Sequence, residues 1–219
     1  EEYGGMGLDD YRYNTILIEE SVKAENPGFG HSVQNDLVVP YLLRHTTEEQ
    51  KKRWLPKICS GETIGALAMT EPGGGSDVAA IKTLAKDMGD HFLVNGSKSF
   101  ITNGLLADLV IVACKTDSKA GAHGISLIIL ERGMEGFERG NKLDKIGQVG
   151  QDTAELFFKD VKVPKENLLG EEGKGFYYMM ESLPKERLSI AAGAIAVIEF
   201  VLDLTIQYCH DRKAFGQKI

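Results

Sequence analysis

Cysteine is scarce in this sequence, which has three among its 219 residues: Cys59, Cys114 and Cys209. They lie far apart, with neither the close spacing of a metal-binding cluster nor the pairing of a disulfide framework. We therefore expect free thiols in a reducing compartment and no metal site.

The sequence also lacks excess positive charge, long apolar runs and a signal-like segment at its start. Its formal net charge of −7 argues against a broad nucleic-acid surface, although a local basic pocket for an anionic ligand stays open. The apolar stretches 125–130 and 190–204 are too short or too rich in small residues to predict a membrane span. The start, Glu1-Glu-Tyr-Gly-Gly, has no signal-like character. We expect a soluble globular protein with a sizeable core.

The hydrophobic periodicity changes twice along the chain. Residues 9 to about 60 are predicted to be helical, with an apolar face over 11–24, an interruption at Pro40 and a capping box, Thr47-Glu-Glu-Gln50. Short β-like runs follow from residue 63, and residues 175–210 are predicted to be helical again, with Pro184 at a helix start.

Turn signals separate the predicted strands. Asn95-Gly96 and Asn103-Gly104 each favour a tight hairpin. Helices, then antiparallel strands, then helices predict an α+β fold rather than alternating strands and helices. We divide the chain into an N-terminal helical domain (1–62), a central β domain (63–165) and a C-terminal helical domain (166–219).

A glycine-rich segment, Met69-Thr-Glu-Pro-Gly-Gly-Gly-Ser-Asp-Val78, follows the first predicted strand. Glycines let a ligand approach the backbone, the hydroxyls of Thr70 and Ser76 are donors, and successive N–H groups can form an anion-binding nest. The segment is predicted to bind a phosphate or a cofactor. The alternative is an ordinary polar loop tip, because such turns are common.

Four segments together resemble the signature segments of the acyl-CoA dehydrogenase family, in the family's order and spacing. They are Ala68-Met-Thr-Glu-Pro-Gly-Gly-Gly-Ser-Asp77, Asn95-Gly-Ser-Lys-Ser-Phe-Ile-Thr-Asn-Gly104, Val163-Pro-Lys-Glu-Asn-Leu-Leu-Gly170 and Arg212-Lys-Ala-Phe-Gly216. The resemblance implies N-terminal helices, a central antiparallel β-barrel-like domain and a C-terminal helical bundle. It also implies that the chain is truncated at both ends, since family members continue in both directions.

The resemblance further implies a function. Family members are FAD-dependent enzymes of fatty acid metabolism that convert an acyl-CoA to the trans-2-enoyl-CoA and pass electrons to an electron-transfer flavoprotein. A homotetramer in the bacterial cytoplasm or the mitochondrial matrix is expected. Two alternatives stay open: an oxidase-like enzyme that uses oxygen, and a non-catalytic fragment that binds acyl-CoA or flavin.

The resemblance assigns the catalytic base to Glu186. The segment 175–188 is most similar to the long-chain members, with the isovaleryl members next, and both place the catalytic glutamate early in the C-terminal domain. From position alone, Glu186 would instead be a surface residue that interacts with the helix dipole.

The other site residues also follow from the resemblance. Phe100 stands where many relatives have tryptophan, so a role for an indole N–H is in doubt. On sequence alone, the segment 100–102 would be a half-buried strand. The expected FAD contacts are Leu67, Ala68, Met69, Thr70, Gly75, Ser76, Phe100, Ile101 and Thr102, with Arg212 and Phe215 reaching the FAD of a neighbouring subunit. The expected acyl-CoA contacts are Ser76, Ala122, His123, Tyr177, Pro184, Lys185 and Arg187.

Overall fold

The computed structural model describes residues 1–8, 10–26 and 28–219, so positions 9 and 27 of the predicted helical region lie outside it. Helices come first, strands follow, and one long helix comes near the end of the chain. The α-helices are α1 (Arg12–Lys23), α2 (Val39–His45), α3 (Glu48–Ser60) and α4 (Gly175–Asp211).

The predicted capping box at the start of α3 is confirmed. The Gln50 backbone N–H donates to Thr47 Oγ1 at 3.2 Å, and the Thr47 backbone N–H donates to Gln50 Oε1 at 2.9 Å. These two bonds satisfy N–H groups that have no partner within the helix. Gln50 Nε2 also donates to the carbonyl oxygens of Glu166 and Leu168, which ties α3 to the end of the β region.

The two prolines that mark helix boundaries in the sequence behave differently in the structure. A π-helix over Val33–Val38 runs directly into α2, and Pro40 lies in the first turn of α2. The predicted interruption is therefore a change of helical geometry without a break. The prediction for Pro184 is wrong, because this residue lies inside α4. Packing on both sides of Pro184 outweighs the loss of one backbone hydrogen bond.

Eight strands form one mixed sheet in the order β6-β7-β3-β2-β4-β5-β8, with β1 paired to β4. The strands of this sheet are β1 (Gly65–Ala68), β2 (Leu84–Asp87), β3 (His91–Thr102), β4 (Leu109–Lys115), β5 (Ile125–Glu131), β6 (Phe137–Lys142), β7 (Thr153–Pro164) and β8 (Leu168–Leu169). Both β1 and β2 pair with β4 in parallel, and the other pairs are antiparallel. The barrel-like prediction needs correction, since the described strands end at β6 and β8 without closing.

Both predicted hairpins are wrong. Asn95 and Gly96 lie inside β3, where the register with β7 shifts. Gly96 has a φ of 150°, and a Cβ there would lie 2.6 Å from Thr83 Oγ1, so glycine lets β3 pass its neighbour. Asn103 and Gly104 do form a turn, but β2 lies between the strands β3 and β4 that this turn connects.

The core has two parts, one on each side of the sheet. One cluster includes Phe92, Leu156 and Val163 of β3 and β7. The other joins α2 and α3 to inward-facing residues of β1, β4 and β5, and Met179 of α4 belongs to it. The sheet therefore has one face packed against helices, and α4 begins on that face.

Within the part of the chain that the structure describes, the predicted C-terminal helical region contains one α-helix, α4, followed by a short two-stranded hairpin. Helix α4 packs against α1, α2, β5 and the π-helix. By length and composition alone, α4 is apolar enough to cross a membrane, and 11% of its most apolar window is buried. The sequence prediction considered only the stretch 190–204 and therefore underestimated the length of this apolar helix. Large side chains such as Ile190, Ile198 and Leu202 are more than half exposed.

Two glycines that precede β6 allow a matched stability test. Gly136 has a φ of 81°, and a Cβ there would lie 2.0 Å from the Lys159 carbonyl oxygen. Gly133 has a φ of 91°, but its Cβ would meet nothing within 4 Å. We expect Gly136→Ala to lower the free energy of unfolding by about 3 kcal/mol or more, and Gly133→Ala by about 1 kcal/mol. Equal losses in urea unfolding would contradict the close approach at Gly136.

Candidate active site

The carboxylate of Glu186 is buried where α4 crosses α2. Glu186 is 7% exposed, and Tyr41 Oη of α2 donates a hydrogen bond to Glu186 Oε1 at 3.2 Å. Burial raises the pKa of Glu186, while the Tyr41 hydroxyl and the charge of Arg187 act to lower it. A buried carboxylate with a raised pKa is a stronger base than an exposed carboxylate and is less hydrated.

A second buried polar cluster lies one turn further along α4. Asp36 of the π-helix is 2% exposed and accepts hydrogen bonds from the side chains of Ser189 and Asn14. Lys185 Nζ lies 5.6 Å from the centre of the Tyr11 ring. Polar groups from three helical elements therefore meet around the stretch of α4 that carries Glu186.

The glycine-rich segment is held to β3 by a buried ion pair. Lys98 Nζ donates to Glu71 Oε1 at 2.9 Å and to the Met69 carbonyl oxygen at 3.0 Å. The Lys98 side chain is 0% exposed, and Glu71 also accepts hydrogen bonds from the backbone N–H groups of Lys82 and Thr83. Burial raises the pKa of Glu71, but the bonds from Thr83 and the charge of Lys98 outweigh burial and hold this pKa below 4.5.

The outer face of this segment is open. A Cβ at Gly73 would meet nothing within 4 Å, while Ser76 and Gly75 are exposed. A cleft of about 260 Å³ runs alongside, between the loop and the residues Lys82 and Ser97. A ligand can therefore approach the loop backbone closely.

Phe100 lies in strand β3 beside this segment. The Ser99 backbone N–H donates to the Thr70 carbonyl oxygen at 2.9 Å, which joins the two segments. Phe100 has a φ of 59° at a bulge in β3, and its side chain is 69% exposed. An aromatic residue rarely adopts this conformation, and such strain is typical of functional sites. Ile101 is buried and Thr102 is half-buried.

Among the residues predicted to contact acyl-CoA, two lie together. Tyr177 Oη and His123 Nδ1 are 3.2 Å apart, and Lys174 Nζ lies 5.5 Å from the centre of the Tyr177 ring. His123 belongs to the 3-10 turn Gly121–Gly124, which also contains Ala122. Gly175 begins α4 against β5, which directly follows this turn, because a Cβ there would lie 2.7 Å from the Ser126 carbonyl carbon.

The remaining predicted residues spread along α4 and its end. Pro184 and Arg187 are exposed, and Lys185 is half-buried. Arg212 and Phe215 lie at the hairpin formed by β9 (Lys213–Ala214) and β10 (Gln217–Lys218). Phe215 is fully exposed with a φ of 53°, so this hairpin turn also presents a strained aromatic residue to its surroundings.

Three models of one protein family match consecutive parts of the chain. They describe the N-terminal, middle and C-terminal domains of acyl-CoA dehydrogenase and match residues 1–62, 66–161 and 173–219. The chain belongs to the acyl-CoA dehydrogenase family. The resemblance of the four signature segments to this family is therefore confirmed. The chain also shares the family's fold.

Individual members of the family agree with this assignment. The chain is 49% identical to a mitochondrial long-chain specific acyl-CoA dehydrogenase of Sus scrofa, covering all of this chain and 51% of that protein. It is 46% identical to a mitochondrial isovaleryl-CoA dehydrogenase of Oryza sativa, covering all of this chain and 54% of that protein. The chain therefore spans about half the length of the curated relatives that it matches.

Solved structures of the family align over nearly the whole chain. An acyl-CoA dehydrogenase of Geobacillus kaustophilus superposes with a TM-score of 0.95 at 53% identity, covering 99% of this chain and 57% of that chain. An acyl-CoA dehydrogenase of Bacillus anthracis complexed with FAD has a TM-score of 0.90 at 34% identity, covering 99% of this chain and 37% of that chain.

Sequence reasoning about the family missed three structural partners of the predicted site: Tyr41, Lys98 and Asp36. The sequence carried no signal for Lys98, because a lysine beside a predicted strand is usually exposed. Tyr41 and Asp36 carried none, because an aromatic or acidic residue in a helix near the N-terminus is ordinary.

The Lys98–Glu71 pair provides a test of the loop's anchorage. We expect Lys98→Met to lower the free energy of unfolding by about 3 kcal/mol, because the Glu71 carboxylate then stays buried without its cation. Because the pKa of Glu71 is lowered in the folded state, this stabilisation is complete above pH 4.5 and is lost as the pH falls through the folded-state pKa. Urea unfolding across this range measures both effects.

Lys23→Met is the matched control, because Lys23 forms an exposed ion pair with Glu20 at 2.8 Å. It should lose only a small fraction of the stability that Lys98→Met loses. Equal effects of the two substitutions would show that the buried pair does not anchor the loop.

Proposed function

We propose that the chain carries the flavin and base sites of an FAD-dependent acyl-CoA dehydrogenase, which oxidises fatty acyl-CoA thioesters to trans-2-enoyl-CoA. The observation that carries this proposal is the buried Glu186 carboxylate on α4, hydrogen-bonded by Tyr41. Membership of a flavin-dependent family supports it. The long-chain substrate class is proposed from the most similar relatives.

The residues of the loop and of β3 fit a flavin nucleotide. The open backbone around Gly73 and Gly75 suits a pyrophosphate, and exposed Phe100 suits the face of a planar ring. The neighbouring cleft of about 260 Å³ is smaller than the roughly 300–1,000 Å³ of enclosing ligand pockets. The described residues therefore form one wall of the proposed site. Its full set is Leu67, Ala68, Met69, Thr70, Gly75, Ser76, Phe100, Ile101 and Thr102.

Glu186 is proposed as the general base that removes the α-proton of the thioester. When bound, FAD supplies an acceptor for the β-hydrogen as hydride. The α-carbon is a weak acid, so a carboxylate with a raised pKa and little bound water is suited to this transfer. Tyr41 holds Oε1, and Oε2 receives no hydrogen bond from the residues that the structure describes.

The substrate and partners are also proposed. Ser76, Ala122, His123, Tyr177, Pro184, Lys185 and Arg187 are proposed to bind acyl-CoA. Arg212 and exposed Phe215 are proposed to reach the FAD of a neighbouring subunit in a homotetramer, where a guanidinium suits a pyrophosphate. An electron-transfer flavoprotein is the proposed acceptor, in the bacterial cytoplasm or the mitochondrial matrix. The three-domain division stays a proposal.

Glu186→Gln tests the proposed base. In the FAD-loaded protein, mixed anaerobically with a long-chain acyl-CoA, we expect the loss of flavin absorbance to be at least about 100-fold slower than in the wild type, because an amide cannot accept the proton. In the wild type, the reduction rate should rise with pH through a pKa above 4.5, since burial raises the pKa of Glu186.

Glu181→Gln is the matched control, because Glu181 is an exposed acid five residues earlier on α4. Its reduction rate should equal that of the wild type. Rapid bleaching in Glu186→Gln would remove this residue from the reaction, and an absence of bleaching in the wild type would overturn the proposed function.

A further inference from the structure

Tyr41 is completely buried and directs its hydroxyl at one oxygen of Glu186. Its side chain is 0% exposed, and Oη donates to Glu186 Oε1 at 3.2 Å. Buried tyrosine hydroxyls need a partner, and among the residues that the structure describes this carboxylate is the acceptor.

The ring of Tyr41 is held in place by aromatic neighbours. The centre of the His45 ring, one turn further along α2, lies 6.2 Å from the centre of the Tyr41 ring. His45 stacks on Tyr178 of α4 at 4.0 Å. Helices α2 and α4 therefore meet at two points, one aromatic and one through the hydrogen bond, so that the hydroxyl has little freedom to leave Glu186.

Few charged groups share this environment. Arg187 lies beside Glu186 on α4, and Lys185 is directed at the Tyr11 ring. The carboxylate of Asp36, in the π-helix, accepts hydrogen bonds from the side chains of Asn14 and Ser189. From α2, the titratable side chains are Tyr41, Arg44 and His45. Burial lowers the pKa of His45, the charge of Glu181 on α4 acts to raise it, and Arg44 acts to lower it. Among the described residues, Tyr41 is thus the hydrogen-bond donor to Glu186, and the charge of Arg187 acts on the carboxylate through space.

We propose that Tyr41 is the positioning residue of the Glu186 base. It binds Oε1, fixes the rotamer of the carboxylate and leaves Oε2 free to accept a proton. Its hydrogen bond favours the ionised carboxylate and so opposes the effect of burial. This inference rests on the proposed function, because it assigns Tyr41 a part in the same proton transfer.

Tyr41→Phe tests the proposal through the pH profile of flavin reduction in the FAD-loaded protein. Phenylalanine keeps the ring and removes only the hydroxyl. We expect the apparent pKa of reduction to rise by about one pH unit, which makes reduction up to about tenfold slower below that pKa. Tyr13→Phe, at a half-exposed tyrosine of α1, is the control and should keep the wild-type profile.

The outcomes separate the two proposals. If the wild type bleaches and Glu186→Gln does not, the proposed function holds, and a Tyr41→Phe profile that superposes on the wild type overturns the role of Tyr41 alone. A loss of rate without a pH shift would mean a merely structural effect and would also overturn it.

A second measurement needs no substrate. Because burial raises the pKa of Glu186 in the folded state, the charged carboxylate costs stability as the pH rises from 4.5 through that pKa. Tyr41→Phe should steepen this loss, by about tenfold in the unfolding constant, and should give a pH-independent change in the Glu186→Gln background. Equal pH dependence in both backgrounds would show that the two residues are not coupled and would overturn the proposal.

Discussion

The start of α4 against strand β5 is the contact on which the candidate site depends. Gly175 lies so close to the Ser126 backbone that a Cβ would be 2.7 Å from its carbonyl carbon. Helix α4 therefore begins on the sheet, and a straight helix advances about 1.5 Å per residue from that point. Glu186, eleven residues further on, is carried to the crossing with α2, where its carboxylate is buried.

Two polar contacts then compensate for the burial of charged side chains. Tyr41 binds the carboxylate of Glu186, and Lys98 pairs with Glu71 while it holds the Met69 carbonyl oxygen. In each case a buried charge meets a donor from another segment of the chain, which is how proteins offset the cost of desolvation. Helix α4 and the glycine-rich loop lie on the same side of the sheet, because Met69 packs against the apolar cluster that contains Met179.

Local patterns in the sequence predicted the helices, the capping box and most strands, because these depend on neighbouring residues. The hairpin predicted at Asn95-Gly96 was wrong because the glycine instead allows the β3 backbone to lie close to Thr83. This contact is with a residue outside the local pattern, so the dipeptide alone does not indicate it. The helix start predicted at Pro184 was wrong because tertiary packing keeps α4 helical on both sides of this residue. The proposed role of Glu186 came from family resemblance, whereas its contact with Tyr41 spans 145 residues and leaves no local signal.

The central claim is that Glu186 removes the α-proton, and exchange of that proton with solvent tests it most directly. The FAD-loaded wild type and Glu186→Gln would be incubated in D2O with an acyl-CoA analogue that cannot release its β-hydrogen, and deuterium at the α-carbon would be measured by mass spectrometry. The account predicts exchange in the wild type and its loss in Glu186→Gln. Exchange at the wild-type rate in Glu186→Gln would contradict the account.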